Sequence, residues 1–545
     1  MIGQIKGQMA RKLKGAIRRQ TDRLFPTRET QEYRKWIAHR LAARQAFYTQ
    51  PLQPGLLSVM TAVWDGSPLR YLKQLAQAIS AQNENGACEW VIADNGCSKT
   101  AWRKYLAELS AYKWVKIVRS EKNIGIIGGL RLCLKHARAR YVLPVDADDW
   151  IYPDALKAVT WALKNAHYPA LLFTDEDKIA GKQHYQPYMK PGWDPVLLLN
   201  SAYIAHLAAV DREKALELGA YDDPATEASP DWDLFVRFLI AGVAAAHLPD
   251  IVYSWRVHAQ STADDAAAKS YVGRSQVDVL QRHVDATPGG EDLEVLNSPF
   301  LAGGPHWRIL SRSAGTRSFR PIRFLPGTNL ETVAEAARLA AQHGDFLQLI
   351  SGDVEIESAD WQSEVTTLTQ LHPDIVMIGG RIHNRKGTIT SAGQYFGVCG
   401  ICGCPYRGRP LEHPGYFAQL WKRRSVSAVN TQFAVIDARF LVETLSNIPV
   451  SASLPFLGAW IGAEAWRRRK RVVYSPFLSA MSDTDWEQLF PTAEQELFLQ
   501  RNRDLIPDHR FYSPALSLTK GFALGDAAYD PACPGCATPF SEGVP

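Results

Sequence analysis

The stretch Tyr141-Val142-Leu143-Pro144-Val145-Asp146-Ala147-Asp148-Asp149-Trp150 runs an apolar segment straight into three carboxylates within four positions. The apolar part reads as a short buried strand and the acidic part as its carboxyl end. Carboxylates this close repel one another unless a cation sits among them. Hard cations such as Mg²⁺ and Mn²⁺ take oxygen ligands and share them with substrate phosphates. The segment therefore suits a metal–diphosphate site. A solvated acidic turn, or an N-cap cluster for the helix following Pro153, is the competing reading.

Outward from this stretch, short apolar strands alternate with amphipathic helices. Leu57–Val63, Trp90–Ala93 and Val115–Val118 read as strands, and Leu69–Ala81 and Trp102–Ser110 as helices. Ile127, Leu130, Leu134 and Ala137 mark one further helix face. Such alternation predicts an α/β domain with a mostly parallel sheet flanked by helices, which binds ligands at the carboxyl ends of its strands. Asp94-Asn95-Gly96 ends the second strand, where a lone Asp is commonly a turn residue. Asp231-Trp232-Asp233 opens the apolar helix Leu234-Phe235-Val236-Arg237, where Asp is commonly a cap. Tyr253-Ser254-Trp255-Arg256-Val257-His258 closes the domain.

In this order the four features resemble the family 2 glycosyltransferases with the GT-A fold, especially bacterial members that build O-antigen and other surface polysaccharides. The resemblance covers roughly Leu56 to Ala263. It includes Thr174-Asp175-Glu176-Asp177-Lys178, Lys190-Pro191-Gly192-Trp193-Asp194-Pro195 and Leu199-Asn200-Ser201. It implies a metal-dependent, inverting enzyme that moves a hexosyl or deoxyhexosyl unit from a nucleotide-diphosphate donor to a saccharide or lipid-linked acceptor. By the resemblance Asp94 reads the nucleotide base. Asp146 and Asp148 are the DxD pair, with Asp146 also on the nucleotide. Asp149 and His258 complete a Mn²⁺ or Mg²⁺ site, and Asp231 is the general base. Trp193, Asp194 and Asp233 face the acceptor, and the look-alikes point to a donor such as dTDP-rhamnose. The first strand departs from the family's Pro-x-Tyr-Asn-like turn, reading Thr61-Ala62-Val63-Trp64-Asp65, and Pro144 falls inside a strand.

A second stretch, from about Trp307 to Ala480, looks like a degenerate copy of the same fold. Asp353-Val354-Glu355 stands where a DxD would be, and Glu464 lies near the expected base. No counterpart to Asp94 is evident. The expected organisation is a basic arm (1–50), a catalytic GT-A domain (56–285), a degenerate GT-A-like domain (300–510) and an irregular tail (511–545). A bifunctional polymerase with two active domains and a catalytically dead glycan-binding scaffold are the alternatives.

Charge is unevenly placed. The net +5 divides into about +9 on the first fifty residues and about −4 on the rest. Ile5, Met9, Leu13 and Ile17 recur at helical spacing among basic residues, the pattern of an amphipathic helix on an anionic membrane surface. A solvated arm docked on its own protein is the alternative. With no long apolar run and no signal-peptide pattern, the expected place is the cytoplasm, peripheral on the inner face of the membrane. No nucleic-acid-binding module is recognisable. Cys399, Cys402 and Cys404 with Cys533 and Cys536 raise a zinc site, but isolated thiols are the favoured reading.

Overall fold

A computed structural model describes residues 27–83, 85–258, 266–301, 306–312, 318–325 and 328–532. Helix α1 (Arg28–Arg44) precedes the first α/β unit. That unit runs β1 (Leu57–Val63), α2 (Leu69–Gln82), β2 (Glu89–Asn95), α3 (Thr100–Leu109), β3 (Val115–Ser120), α4 (Gly125–His136) and β4 (Tyr141–Pro144). It continues through β5 (Trp150–Ile151), α5 (Ala155–Asn165), β6 (Leu171–Ala180), β7 (Gln183–Tyr188), α6 (Pro195–Leu198) and β8 (Ala208–Asp211). It ends with α7 (Arg212–Glu217), α8 (Pro230–Ile240), β9 (Ala246–Arg256) and α9 (Ala266–Ala286). The helices form because apolar side chains recur at helical spacing: α2 buries Leu72, Leu75, Ala76 and Ile79 against the sheet.

The strand order is β3-β2-β1-β4-β8-β6-β9-β5, with β7 paired to β6. Strands β3, β2, β1 and β4 are mutually parallel, β8 is antiparallel to β4 and β6, and β9 runs parallel to β6. Pro144 is tolerated because β8 pairs β4 only at Tyr141 and Val142, so no partner there needs the N–H that proline lacks. The parallel strands bring their carboxyl ends, and with them Asp94 and Asp146, to one edge.

A two-stranded ribbon, β10 (Leu293–Asn297) with β11 (Trp307–Ser311), leads to the second unit. This unit contains β12 (Phe319–Phe324), α10 (Leu330–His343), β13 (Phe346–Ser351), β14 (Glu355–Ile356) and α11 (Trp361–Leu371). Then come β15 (Ile375–His383), β16 (Ile389–Ser391), β17 (Tyr395–Phe396), β18 (Cys402–Gly403), β19 (Arg424–Val426) and β20 (Phe433–Asp437). It closes with α12 (Ala438–Thr444), α13 (Leu457–Arg467), β21 (Arg471–Met481) and α14 (Thr492–Arg501). The order β12-β13-β20-β15-β21-β14 repeats β1-β4-β8-β6-β9-β5 of the first sheet, with the same parallel and antiparallel neighbours. Among the described residues nothing in the second sheet corresponds to β2 and β3, the strand that ends in Asp94 included.

The segment 187–200 is clamped by the second unit. Asp194 accepts hydrogen bonds from the backbone N and Oγ of Ser425, both at 2.7 Å. Tyr188 stacks on Phe417 with ring centroids 4.0 Å apart. Gly192 donates to the Arg510 carbonyl at 2.8 Å, and a Cβ at Gly192 would lie 2.6 Å from that oxygen, so glycine alone permits the approach. Trp193 and Asp194 are thus buried supports rather than acceptor-facing groups, and that expectation is corrected. Residues 511–532 contain no helix or strand beyond one bridge between Leu516 and Leu524, yet Phe511 and Tyr512 are buried. Cys402 and Cys404 are buried and Cys399 is exposed; Cys533 and Cys536 lie outside the described residues.

Of the basic arm, residues 1–26, including Ile5, Met9, Leu13 and Ile17, lie outside the described residues. Helix α1 docks on the body. Its Arg40 and Arg44, both fully buried, grip the equally buried Asp250 at 2.7 and 2.9 Å. Arg44 also pairs with Asp154 at 2.5 Å, and the Tyr48 hydroxyl donates to Asp250 at 2.6 Å. Tyr33 donates to Asp177, and Trp36 to the Gly525 carbonyl in the tail. Burial alone would raise the Asp250 pKa, but Arg44, Arg40 and Tyr48 bring it below the ordinary 3.8. A carboxylate whose folded pKa is depressed stabilises the fold above its unfolded value and loses that contribution as pH falls through the folded one. Asp250→Ala strands the buried Arg40 guanidinium and leaves Arg44 with Asp154 as its remaining carboxylate, and is expected to destabilise by roughly 3–5 kcal/mol. Denaturant titration at pH 7 and pH 3.5 checks this: the gap between wild type and variant should narrow at the lower pH.

Candidate active site

Asp146, Asp148 and Asp149 leave the end of β4, Asp231 stands in the first turn of α8, and His258 follows β9. Asp148 Oδ2 and His258 Nε2 are 2.7 Å apart, joining two residues 110 positions distant in sequence. Asp149 turns inward. It accepts from the Tyr253 hydroxyl at 2.5 Å and from the Arg256 backbone N–H at 2.6 Å, so both of its oxygens are engaged. Asp146 and Asp231 meet across a residue that the sequence reading did not select, His206. Its Nε2 lies 3.6 Å from Asp146 and 3.7 Å from Asp231, and its ring stacks on Tyr253 at 4.9 Å.

The electrostatics follow from crowding. Burial raises the Asp146 pKa to about 6 against the opposing His206, with Asp231 and Asp148 adding to the rise. The Asp231 pKa is likewise raised by burial, opposed by His206 and reinforced by Glu176. Burial would discharge His206, but Asp231, Asp146 and Asp149 raise its pKa to about 9, so the ring is an imidazolium at neutral pH. Lys190 fixes this residue from behind, its buried Nζ donating to the His206 carbonyl at 3.0 Å and to Glu176 at 3.0 Å. Arg256 packs over Tyr71 at 4.4 Å and donates to the Asp148 carbonyl at 2.5 Å, while its Nη2 is buried without a partner.

Oxygens of Asp146 and Asp149 and a ring nitrogen of His206 lie within 4.8 Å of one another. Asp149 gives both oxygens to Tyr253 and Arg256 and the His206 ring carries a proton, so the set that fits a divalent cation chemically is Asp146 and Asp148 with the His258 imidazole beside Asp148. Asp94 sits at the end of β2 with Oδ1 accepting from Cys97 N at 2.8 Å and Oδ2 paired with Arg119. Trp64, half exposed, ends β1 beside it, where Asp65 binds Ser98 and Lys99. Asp233 is elsewhere. It is buried against Arg237 at 2.6 Å and Arg282 at 2.8 Å, so the expected acceptor contact is corrected to a helix-packing ion pair.

Residues 58–210 match the description Glycosyl transferase family 2. They form a family 2 glycosyltransferase domain. Two relatives extend the likeness beyond this domain. The uncharacterized protein y4gI of Sinorhizobium fredii is 28% identical over 455 residues, covering 73% of this chain and 49% of its own. The O-antigen biosynthesis protein RfbC of Myxococcus xanthus is 23% identical over 559 residues, covering 90% of this chain and 43% of its own. The chain therefore spans about half or less of these relatives. Among solved structures, S. aureus TarS is 18% identical with a TM-score of 0.34, over 42% of this chain and 40% of that one.

His206, inside the matched residues, and Arg256, beyond them at the end of β9, were not marked as site residues by the sequence. The signal for His206 was its place between the Leu199-Asn200-Ser201 segment and β8, too weak for a lone histidine to stand out. A raised folded pKa means that the charge on His206 stabilises the site below pH 6.5 and is lost as pH rises through about 9. In metal-free protein, ¹³C-histidine NMR should place the His206 midpoint near 9, and Asp231→Asn should lower it. A midpoint near 6.5, indifferent to Asp231, would show that the carboxylates do not hold the proton there.

Proposed function

We propose that the chain is an inverting glycosyltransferase that moves a sugar from a nucleoside-diphosphate donor to a saccharide or lipid-linked acceptor in bacterial surface-polysaccharide synthesis. The supporting observation is the convergence of Asp146, Asp148, Asp231, His206 and His258 at the carboxyl edge of the first unit, whose residues 58–210 carry the family 2 match. Asp94, with Arg119 and the exposed ring of Trp64, is read as the nucleobase end of the donor site. Arg256, with its unpartnered buried Nη2, faces phosphate chemistry. A divalent cation held by Asp146 and Asp148 with His258 would neutralise charge on the departing diphosphate.

Asp231 is the base. A sugar hydroxyl is a weak nucleophile, and a carboxylate positioned to take its proton assists by about 10²–10⁴-fold. The raised pKa of Asp231 makes it a better proton acceptor than an ordinary aspartate. His206, held by Lys190, fixes Asp231 relative to Asp146. Attack from the face opposite the diphosphate inverts the anomeric carbon, and no covalent enzyme intermediate is needed.

No helix among the described residues is long and apolar enough to cross a membrane. The basic pattern of the first twenty residues is read as a peripheral attachment to an anionic leaflet.

The test is nucleoside-diphosphate release from a panel of sugar nucleotides, dTDP-rhamnose included, with Mn²⁺ or Mg²⁺ and a lipid-linked saccharide. Asp148→Ala and Asp231→Asn are each expected to lower turnover about 10²-fold or more. Chelation should abolish it, and Glu464→Gln should leave it unchanged. Retention of anomeric configuration in the product, read by NMR, would rule out the assigned role of Asp231.

A further inference from the structure

The paired strands align the two units residue by residue. Tyr141 lies opposite Asp211 in the first sheet and Phe346 opposite Asp437 in the second. Asp211 and Asp437 play the same part, each capping the next helix through the backbone N–H three residues on. The alignment holds where Trp150 faces Ser254 and Glu355 faces Met481. In this register Ser351 replaces Asp146, Asp353 replaces Asp148 and Val354 replaces Asp149, so Asp353 stands at the second DxD position and not the first. Gln432 replaces His206, donating to Ser482 Oγ at 2.6 Å, and Asp485 replaces His258.

The base position is Gly458. A Cβ there would meet the Val429 carbonyl at 2.0 Å, so no carboxylate fits. Glu464, expected near that position, lies six residues further along α13, bonded to Asn447 at 2.7 Å and paired with Arg467 at 3.4 Å. The chain passes from β12 through α10 directly to β13, without the strands that carry Asp94 and Arg119 in the first unit.

Yet the edge of the second sheet keeps a cleft of about 430 Å³, inside the roughly 300–1,000 Å³ range of small-ligand sites. Asn384, Thr388, Thr390, Arg407, Asp485 and Gln488 line it. Its charges are cancelled in pairs: Arg407 with Asp485 at 2.6 Å, and Arg385 with Asp483 at 3.4 Å. Asn384 Oδ1 accepts from the Lys386 and Thr388 N–H groups, which leaves its amide N–H donors for a ligand. Gln488 Nε2 donates to Asp485 at 3.2 Å, which leaves its carbonyl as an acceptor. A wall of mixed, fixed, electrically balanced donors and acceptors matches the hydroxyl groups of a sugar and offers no unpaired cation to a diphosphate.

We propose that the second unit is a saccharide-binding module that holds neutral sugar units in this cleft and has no donor site. The assignment of that saccharide as acceptor chain rests on the glycosyl-transfer reading of the first unit; the binding itself does not. The full-length protein is tested on an array of neutral di- to hexasaccharides of glucose, galactose, mannose, rhamnose and N-acetylglucosamine. Hits are quantified by saturation-transfer NMR, and nucleoside-diphosphate binding is measured in parallel by calorimetry.

The expected result is one nucleotide per chain and a saccharide whose binding survives Asp231→Asn. The same binding should weaken about tenfold or more in Asn384→Ala/Gln488→Ala, the loss of two ligand hydrogen bonds. Gln488→Ala alone replaces the double variant if the latter melts early. Saccharide binding indifferent to the cleft variants, two nucleotides per chain, or nucleotide binding with no saccharide hit would each overturn the proposal. The last outcome would leave the transferase reading of the first unit standing; loss of nucleotide binding with a saccharide hit retained would do the reverse.

Discussion

Four carboxylates gathered at one sheet edge repel, and most of this molecule's conspicuous features follow from keeping them there. Asp146, Asp148, Asp149 and Asp231 are held by His206, from the segment before β8, and by Arg256 and His258 at the end of β9, which supply positive charge or hydrogen bonds. Asp149 gives both of its oxygens to structure, so the other three are left facing the cleft. Burial first, and then the neighbouring Asp231 and Asp148, raise the Asp146 pKa against the opposing His206. Crowding of this kind suits the divalent-cation and phosphate chemistry proposed for this edge.

The second unit bears on this site through the segment 187–206. One end of that segment is anchored on Ser425, Phe417 and Arg510, and the other carries His206 between Asp146 and Asp231. Lys190, buried and bonded to Thr174, Glu176 and His206, links the anchor to the site. Helix α1 adds a second brace beneath the sheet, through the Arg40, Arg44 and Asp250 cluster. The chain thus wraps the first unit from both ends, and the tail returns to Trp36 to close the wrap.

Much of the fold was legible. Period-two and period-3.6 hydrophobicity marked the strands and helices of the first unit to within a few residues, because each element buries one face against the same core. Asp94, Asp146, Asp148, Asp231 and His258 fall at strand ends or a helix start, which the hydrophobic pattern locates, but it was their resemblance in order to the family 2 glycosyltransferases that marked them as a site. Trp193, Asp194 and Asp233 were misplaced for one shared reason. Polar and aromatic residues beside a site look the same in sequence whether they face a ligand or a neighbouring element, and here all three face protein.

The sequence by itself determined the α/β character, the repeated organisation and the acidic edge, since these depend on local periodicity and on residues close along the chain. Only the tertiary structure decided that His206 stands between Asp146 and Asp231. It also decided that Gly458 stands where Asp231 stands in the first unit and that, among the described residues, the second sheet has no counterpart of the strands bearing Asp94 and Arg119. Such facts depend on strand pairing between segments tens to hundreds of residues apart, and register across a sheet is set by packing that no local pattern records.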